Sequence, residues 1–228
     1  MAACAMPGGT IRAMPGAASH GGFDVAAPAV LASVFREAIG ALEEEGLPHV
    51  LIGGLASAAL GRPRCTADID LLVRPHDAHR ALDLLGSRGF QTEETNPHWL
   101  FKATREGVLV DVLFKGPRDV YLDDAMLARS RMAQVLGLRV RVAPPEDLVV
   151  MKALVHDEET PRHWHDALAI LARCDLDWDY LVERARKGNH RVLSLLYYGA
   201  SLDLAVPTGA LEALRRRIEG RREADGPS

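Results

Sequence analysis

The 228 residues are 48% hydrophobic and 25% charged, with a net charge of −4. That is enough apolar content for an α/β unit and a helical appendage, each with a core, and too little positive charge for a global nucleic-acid footprint. Aromatic residues, at 5%, are too few for a base-stacking platform, and three cysteines at unrelated spacings (Cys4, Cys65, Cys174) indicate neither a disulfide framework nor a zinc site.

In chain order, residues 1–22 hold Arg12 as their single charge and lack the continuous apolar core of a signal peptide. Residues 1–26 are expected to be a disordered leader and the protein to be cytoplasmic, with no membrane span. A helix is predicted over residues 29–45, then an apolar strand over 49–52. Gly53 and Gly54 follow, with an alanine-rich helix over 55–60 and a strand over 67–73. Next come a helix over 77–88, strands over 90–93, 99–104 and 108–114, and a hairpin of 132–135 with 138–142 turning at Gly137. Such alternation implies an α/β (α+β) fold with a mixed sheet flanked by helices. Pro144 and Pro145 cannot continue a strand. A boundary is therefore expected after residue 143, separating a domain of residues 27–143 from an all-helical region of 144–222 and a disordered tail of 223–228.

The run from Ile52 to Asp70 carries the chemistry. Alternate side chains of a strand share a face roughly 6.5–7 Å apart, so Asp68 and Asp70 point the same way while Ile69 enters the core. Two adjacent carboxylates at an apolar sheet edge raise each other's pKa and resist desolvation. A divalent cation compensates, and hard oxygen ligands suit Mg²⁺. The glycine pair lets backbone approach a phosphate and leaves amide N–H groups at a helix start, where the dipole favours an anion. Thr66 shares the face of the aspartates, and Arg64 leads into the strand within reach of a phosphate.

Gly53, Gly54, Asp68 and Asp70 together resemble the motif of the nucleotidyltransferase superfamily that includes DNA polymerase beta. The run from Arg64 to Val73 is similar to its minimal bacterial branch, including AbiEii-type abortive-infection toxins. The resemblance implies a third acid on a neighbouring strand. Asp111, at the centre of the apolar run from Val108 to Phe114, is that candidate, and Leu109 and Leu113 on its face make an unpaired carboxylate there costly. By the same resemblance, Asp68 and Asp70 would hold one Mg²⁺ with the triphosphate of an NTP, Asp70 and Asp111 a second, and Asp111 would accept the acceptor's proton. Similar proteins also place a lysine at the start of the helical region and an acid on the next helix. Lys152 fits a role on the triphosphate, and Asp166 a role orienting Lys152 or the acceptor.

His163 and His165, two apart on a predicted helix, diverge and lack a zinc pattern. The acceptor is left open among RNA, a protein and a small molecule such as an aminoglycoside. Arginines concentrated in the helical tail, including Arg184, Arg186, Arg191 and Arg215, could hold RNA phosphates or form a solvated surface. A toxin partnered by an antitoxin protein, and a noncatalytic nucleotide- or partner-binding module that keeps the fold, are the other readings.

Overall fold

The computed structural model describes residues 28–157 and 159–224, with side chains described as far as residue 220. The expected leader and residues 225–228 of the expected tail lie outside the described residues. The chain runs α1 (Pro28–Glu44), β1 (His49–Leu51), α2 (Gly53–Leu60), β2 (Asp68–Val73), α3 (Ala78–Ser87), β3 (Gln91–Asn96), β4 (Leu100–Arg105), β5 (Val108–Leu113), α4 (Asp124–Arg129), β6 (Arg131–Val135), β7 (Leu138–Val142), α5 (Pro145–Val155), α6 (Arg162–Arg173), α7 (Trp178–Arg184), α8 (Asn189–Ser201) and α9 (Thr208–Ala224).

The seven strands form a mixed sheet in the order β3-β4-β5-β2-β1-β7-β6. The β2/β5 and β1/β7 pairs are parallel and the other pairs antiparallel. Central strands are apolar because both sides of the sheet are covered: Ile69, Leu71, Leu72, Val110 and Val112 are fully buried. The outer strand β3 reads Gln-Thr-Glu-Glu-Thr-Asn and is exposed along nearly its whole length. Its paired glutamates discourage edge-to-edge association. Helix α3 covers one face, where the His79 ring packs edge-on against Phe101. By strand alternation, residues 68, 70, 109, 111 and 113 lie on the other.

Helix α5 follows β7 directly, Pro144 and Pro145 ending the strand and supplying the first helical turn. Ten of its eleven residues, from Pro145 to Leu154, are buried, with α2, α6, α7 and α8 packed around it. A helix enclosed on all sides must pair every charge it carries. Glu146 Oε1 accepts from the Asp177 amide at 2.8 Å. Asp147 accepts from the Tyr180 hydroxyl at 2.7 Å and from Arg184 Nε at 2.5 Å. Lys152 donates to Asp166 at 3.1 Å.

Several elements differ from the sequence reading. Helix α2 begins at Gly53 rather than Leu55, because Gly53 takes up φ +66° and turns the chain straight into the helix. Helix α4, absent from the expected elements, is only six residues long and is set by Asp123, whose carboxylate caps the Met126 amide at 2.8 Å. Strand β3 extends three residues further than expected, with a register irregularity between Glu93 and Asn96. Thr66 lies in the loop before β2, which starts at Asp68.

Candidate active site

Asp70 is the hinge of the site. The Ile52 amide donates to the Asp70 carbonyl at 2.9 Å, which brings the end of β1 beside the middle of β2. The glycine pair then folds over the Asp70 side chain, and the Gly54 amide donates to Asp70 Oδ2 at 3.3 Å. A Cβ on Gly53 would fall 1.8 Å from Asp70 Oδ2, and Gly53 also holds a positive φ that disfavours L side chains. A Cβ on Gly54 would meet Thr66 Oγ1 at 2.6 Å and an Arg64 guanidinium nitrogen at 2.9 Å. Gly53, Gly54, Arg64, Thr66 and Asp70 are thus gathered in one place by close approach of backbone to side chains.

Strand register places the third acid. In the parallel β2/β5 pair Asp70 lies directly opposite Asp111, and Asp68 opposite Leu109. On the far side of β5, Lys102 of β4 is the register partner of Asp111. A row of Lys102, Asp111 and Asp70 therefore crosses three strands. Lys102 escaped the sequence reading, since its place depends on the pairing register of β4, which no local pattern states. Asp68 is exposed at the mouth and Asp70 and Asp111 are recessed.

The electrostatics follow from that placement. Burial raises the Asp70 carboxyl above the ordinary range; the Gly54 amide and Lys152 counter it, and Asp68 adds to it. Burial, then the Asp70 charge, pushes Asp111 up to about 6, with Lys102 opposing. Asp111 Oδ1 is buried without a hydrogen-bond partner, an arrangement that asks for an additional donor or cation. Three carboxylates with an unpartnered buried oxygen are the donor chemistry that Mg²⁺ accepts. Among the described residues, however, no group of three or more acidic, histidine or cysteine side chains is already gathered around one metal position.

Lys152 and Asp166 are neither a solvated lysine nor a surface acid. Asp166 is fully buried and Lys152 is 6% exposed. Arg64 Nε donates to both Asp166 oxygens at 3.2 Å while Lys152 Nζ donates to Oδ2 at 3.1 Å. One carboxylate on α6 thereby holds two cations from two different elements, facing the acids. Burial lowers the Lys152 pKa, and Asp166 counters it. His163, on the same helix, is pushed down to about 4 by burial and then by the Lys152 charge, so it is neutral near pH 7. The end of α2 and the loop that follows are fastened to the end of α6 at two further points: Arg173 Nη1 donates to the Gly61 carbonyl, and Cys174 Sγ, just beyond α6, to the Leu60 carbonyl at 3.2 Å.

The tail arginines are largely spoken for. Arg184 is buried against Asp147 and Asp123. Arg186, Arg215, Arg216 and Arg217 pair with glutamates, and Arg191 donates to the His156 carbonyl.

A family model described as an uncharacterised nucleotidyltransferase matches residues 26–205. The chain belongs to this nucleotidyltransferase family. Comparison with curated proteins gives no match. Among solved structures, the chain is similar to the antibiotic-resistance factor ANT(2'')-Ia, at 20% identity over 87% of this chain and 96% of that one, with a TM-score of 0.46. The same factor in complex with adenylyl-2''-tobramycin gives 19% identity over 86% and 92%, with a TM-score of 0.41. The lincomycin-bound lincosamide adenylyltransferase LnuA gives 13% identity over 60% of this chain and 94% of that one, with a TM-score of 0.45. Among the described residues of this family member, no helix is long and apolar enough to cross a membrane.

Proposed function

We propose that this nucleotidyltransferase moves a nucleoside monophosphate from an NTP to a hydroxyl acceptor, with Asp68, Asp70 and Asp111 as the reacting-centre carboxylates. The observation that carries the reading is the register pairing of Asp70 with Asp111 beneath the Gly53-Gly54 bend. In the reaction the acceptor oxygen bonds to the α-phosphorus, the bond from that phosphorus to pyrophosphate breaks, and the hydroxyl proton passes to the Asp111 carboxylate and on to solvent. Burial and the Asp70 charge raise the Asp111 carboxyl above the ordinary range in the chain alone, which favours its taking up a proton. The start of α2 at Gly53 and Gly54 would lie beside the triphosphate, where the helix dipole favours an anion.

Mg²⁺, held by Asp68, Asp70 and Asp111, would supply charge neutralisation for the entering and leaving oxygens. Lys152 and Arg64 would face the triphosphate as a pair, with Asp166 as the positioning residue that keeps them together. Thr66 would add a hydroxyl beside Gly54.

The test is incubation of the purified protein with each α-labelled NTP, Mg²⁺ and candidate acceptors, including total RNA, protein and small alcohols. Release of pyrophosphate with transfer of label, lost in Asp70→Asn, is the expected result. Tight NTP binding without turnover on any acceptor would instead establish a noncatalytic module. The AbiEii-like toxin role has its own measurement: growth arrest on expression, abolished by Asp70→Ala and relieved by an antitoxin protein encoded beside it. Harmless expression of the unaltered chain would end that role.

A further inference from the structure

Asp166 has a third cation within reach. Arg62 Nη1 stands 4.0 Å from Asp166 Oδ1, the oxygen that also accepts from Arg64, while Lys152 donates to Oδ2. The run Gly61-Arg62-Pro63-Arg64 explains the convergence. A residue before proline is pushed into extended backbone, where side chains two apart share a face, so Arg62 and Arg64 turn together toward α6. The Arg62 amide donates to the Ser57 carbonyl at 3.1 Å, and Arg173 donates to the Gly61 carbonyl, which fixes the backbone from which Arg62 projects.

The three cations differ in depth. Their side chains are 7% exposed for Lys152, 18% for Arg64 and 45% for Arg62. On Asp70 the Lys152 charge acts more strongly than the Arg64 charge. A line of positive charge therefore leads from the acids to solvent, with Lys152 innermost and Arg62 outermost, and one carboxylate holds all three. At 4.0 Å Arg62 is an ion-pair partner of Asp166 and not a hydrogen-bond donor to it. Its planar fork can thus turn to a phosphate with two parallel N–H bonds.

We infer that Arg62 is a specificity-determining residue of the donor site, which grips the terminal phosphate and makes the protein select a nucleoside triphosphate over the diphosphate. The inference rests on the nucleotidyl-transfer reading and adds which end of the donor is recognised, and by what. With the α-phosphorus at the carboxylates, the phosphate chain runs outward past Lys152 and Arg64, and its third member reaches Arg62. A diphosphate leaves that guanidinium to water. No bond to the terminal phosphorus changes in the transfer, so Arg62 acts on the hold of the donor rather than on the reacting atoms.

The test is calorimetric titration of the full chain with Mg²⁺ and no acceptor, using the triphosphate and the diphosphate of each of the four common ribonucleosides. The unaltered protein should hold its best triphosphate at least about tenfold more tightly than the matching diphosphate, as one charge-assisted bidentate contact provides. Arg62→Gln should cut that preference to about threefold or less by weakening the triphosphate alone, and Arg62→Lys, which keeps the charge without the fork, should recover part of it. An unaltered protein without the preference, a preference that survives Arg62→Gln, or equal weakening of both nucleotides would overturn the assignment. Equal weakening with a lowered thermal midpoint would make Arg62 a support for Asp166 instead. Inorganic triphosphate with Mg²⁺ keeps the two claims apart, because it needs no nucleoside pocket. In a protein that takes none of the nucleotides the transfer reading fails; inorganic triphosphate weakened by Arg62→Gln would then leave the phosphate contact standing, and its failure to bind, or indifference to Arg62→Gln, would end the contact as well.

Discussion

Asp70 meets three demands at once: it accepts from the Gly54 amide, faces Asp111 across the ladder, and lies under a glycine with no room for a methyl group. Its burial without a full counter-charge is a cost to the fold, which a neutral isostere removes. Asp70→Asn and Asp68→Asn should therefore leave the thermal midpoint unchanged or raised while abolishing pyrophosphate release; unfolding of either variant would make these acids scaffold groups. Gly53→Ala is expected to do the reverse. The strained φ costs about 1–2 kcal/mol, and the added methyl displaces Asp70, so denaturant titration should show lowered stability together with lost turnover. This much was legible in the sequence, because the period of a strand and the permissiveness of glycine are local properties. The contact of Gly54 with Thr66 and Arg64 was foreshadowed only as proximity to phosphate.

Between elements, helix α5 was legible as a helix and not as an enclosed one. Helices α2, α6, α7 and α8 surround it and supply each charge with a partner. Side-chain pairings across a hundred residues, such as Arg64 with Asp166, cannot be read from periodicity. The same blindness concealed Arg184, which the composition grouped with a basic surface and the structure buries against Asp147 and Asp123. Removing Asp166 should expose how much rests on it. Asp166→Ala leaves Lys152 buried and unpaired and is expected to cost about 3 kcal/mol. Asp166→Asn, which keeps the shape and one acceptor, should lose less stability yet raise the NTP KM. A KM unchanged in Asp166→Asn would confine the residue to folding.

For the molecule as a whole, the acids that burial pushes upward set the pH response. Asp147 is raised to about 6 by burial, against the pull of Arg184 and Tyr180. A carboxyl with a folded pKa above its unfolded value binds protons more strongly when folded. Its contribution is therefore greatest below about pH 4 and falls as pH rises to about 6. Chemical denaturation between those limits should show that decline, on the order of 2 kcal/mol from Asp147, and Asp147→Asn should flatten its share. Overall class and element order were legible at this scale because alternation of helix and strand implies a mixed sheet. The strand order was not, since β3 and β6 reach opposite edges through pairings that depend on the whole.

The tether of the end of α2 and the loop before β2 to the α6 region, through Leu60, Gly61 and Arg64, bears on how such a protein can be re-engineered. The diglycine-to-aspartate run is not a portable cassette. Grafted into a foreign scaffold it would arrive without its clasp, which is encoded a hundred positions downstream, and a transplant would succeed only if both segments travelled together.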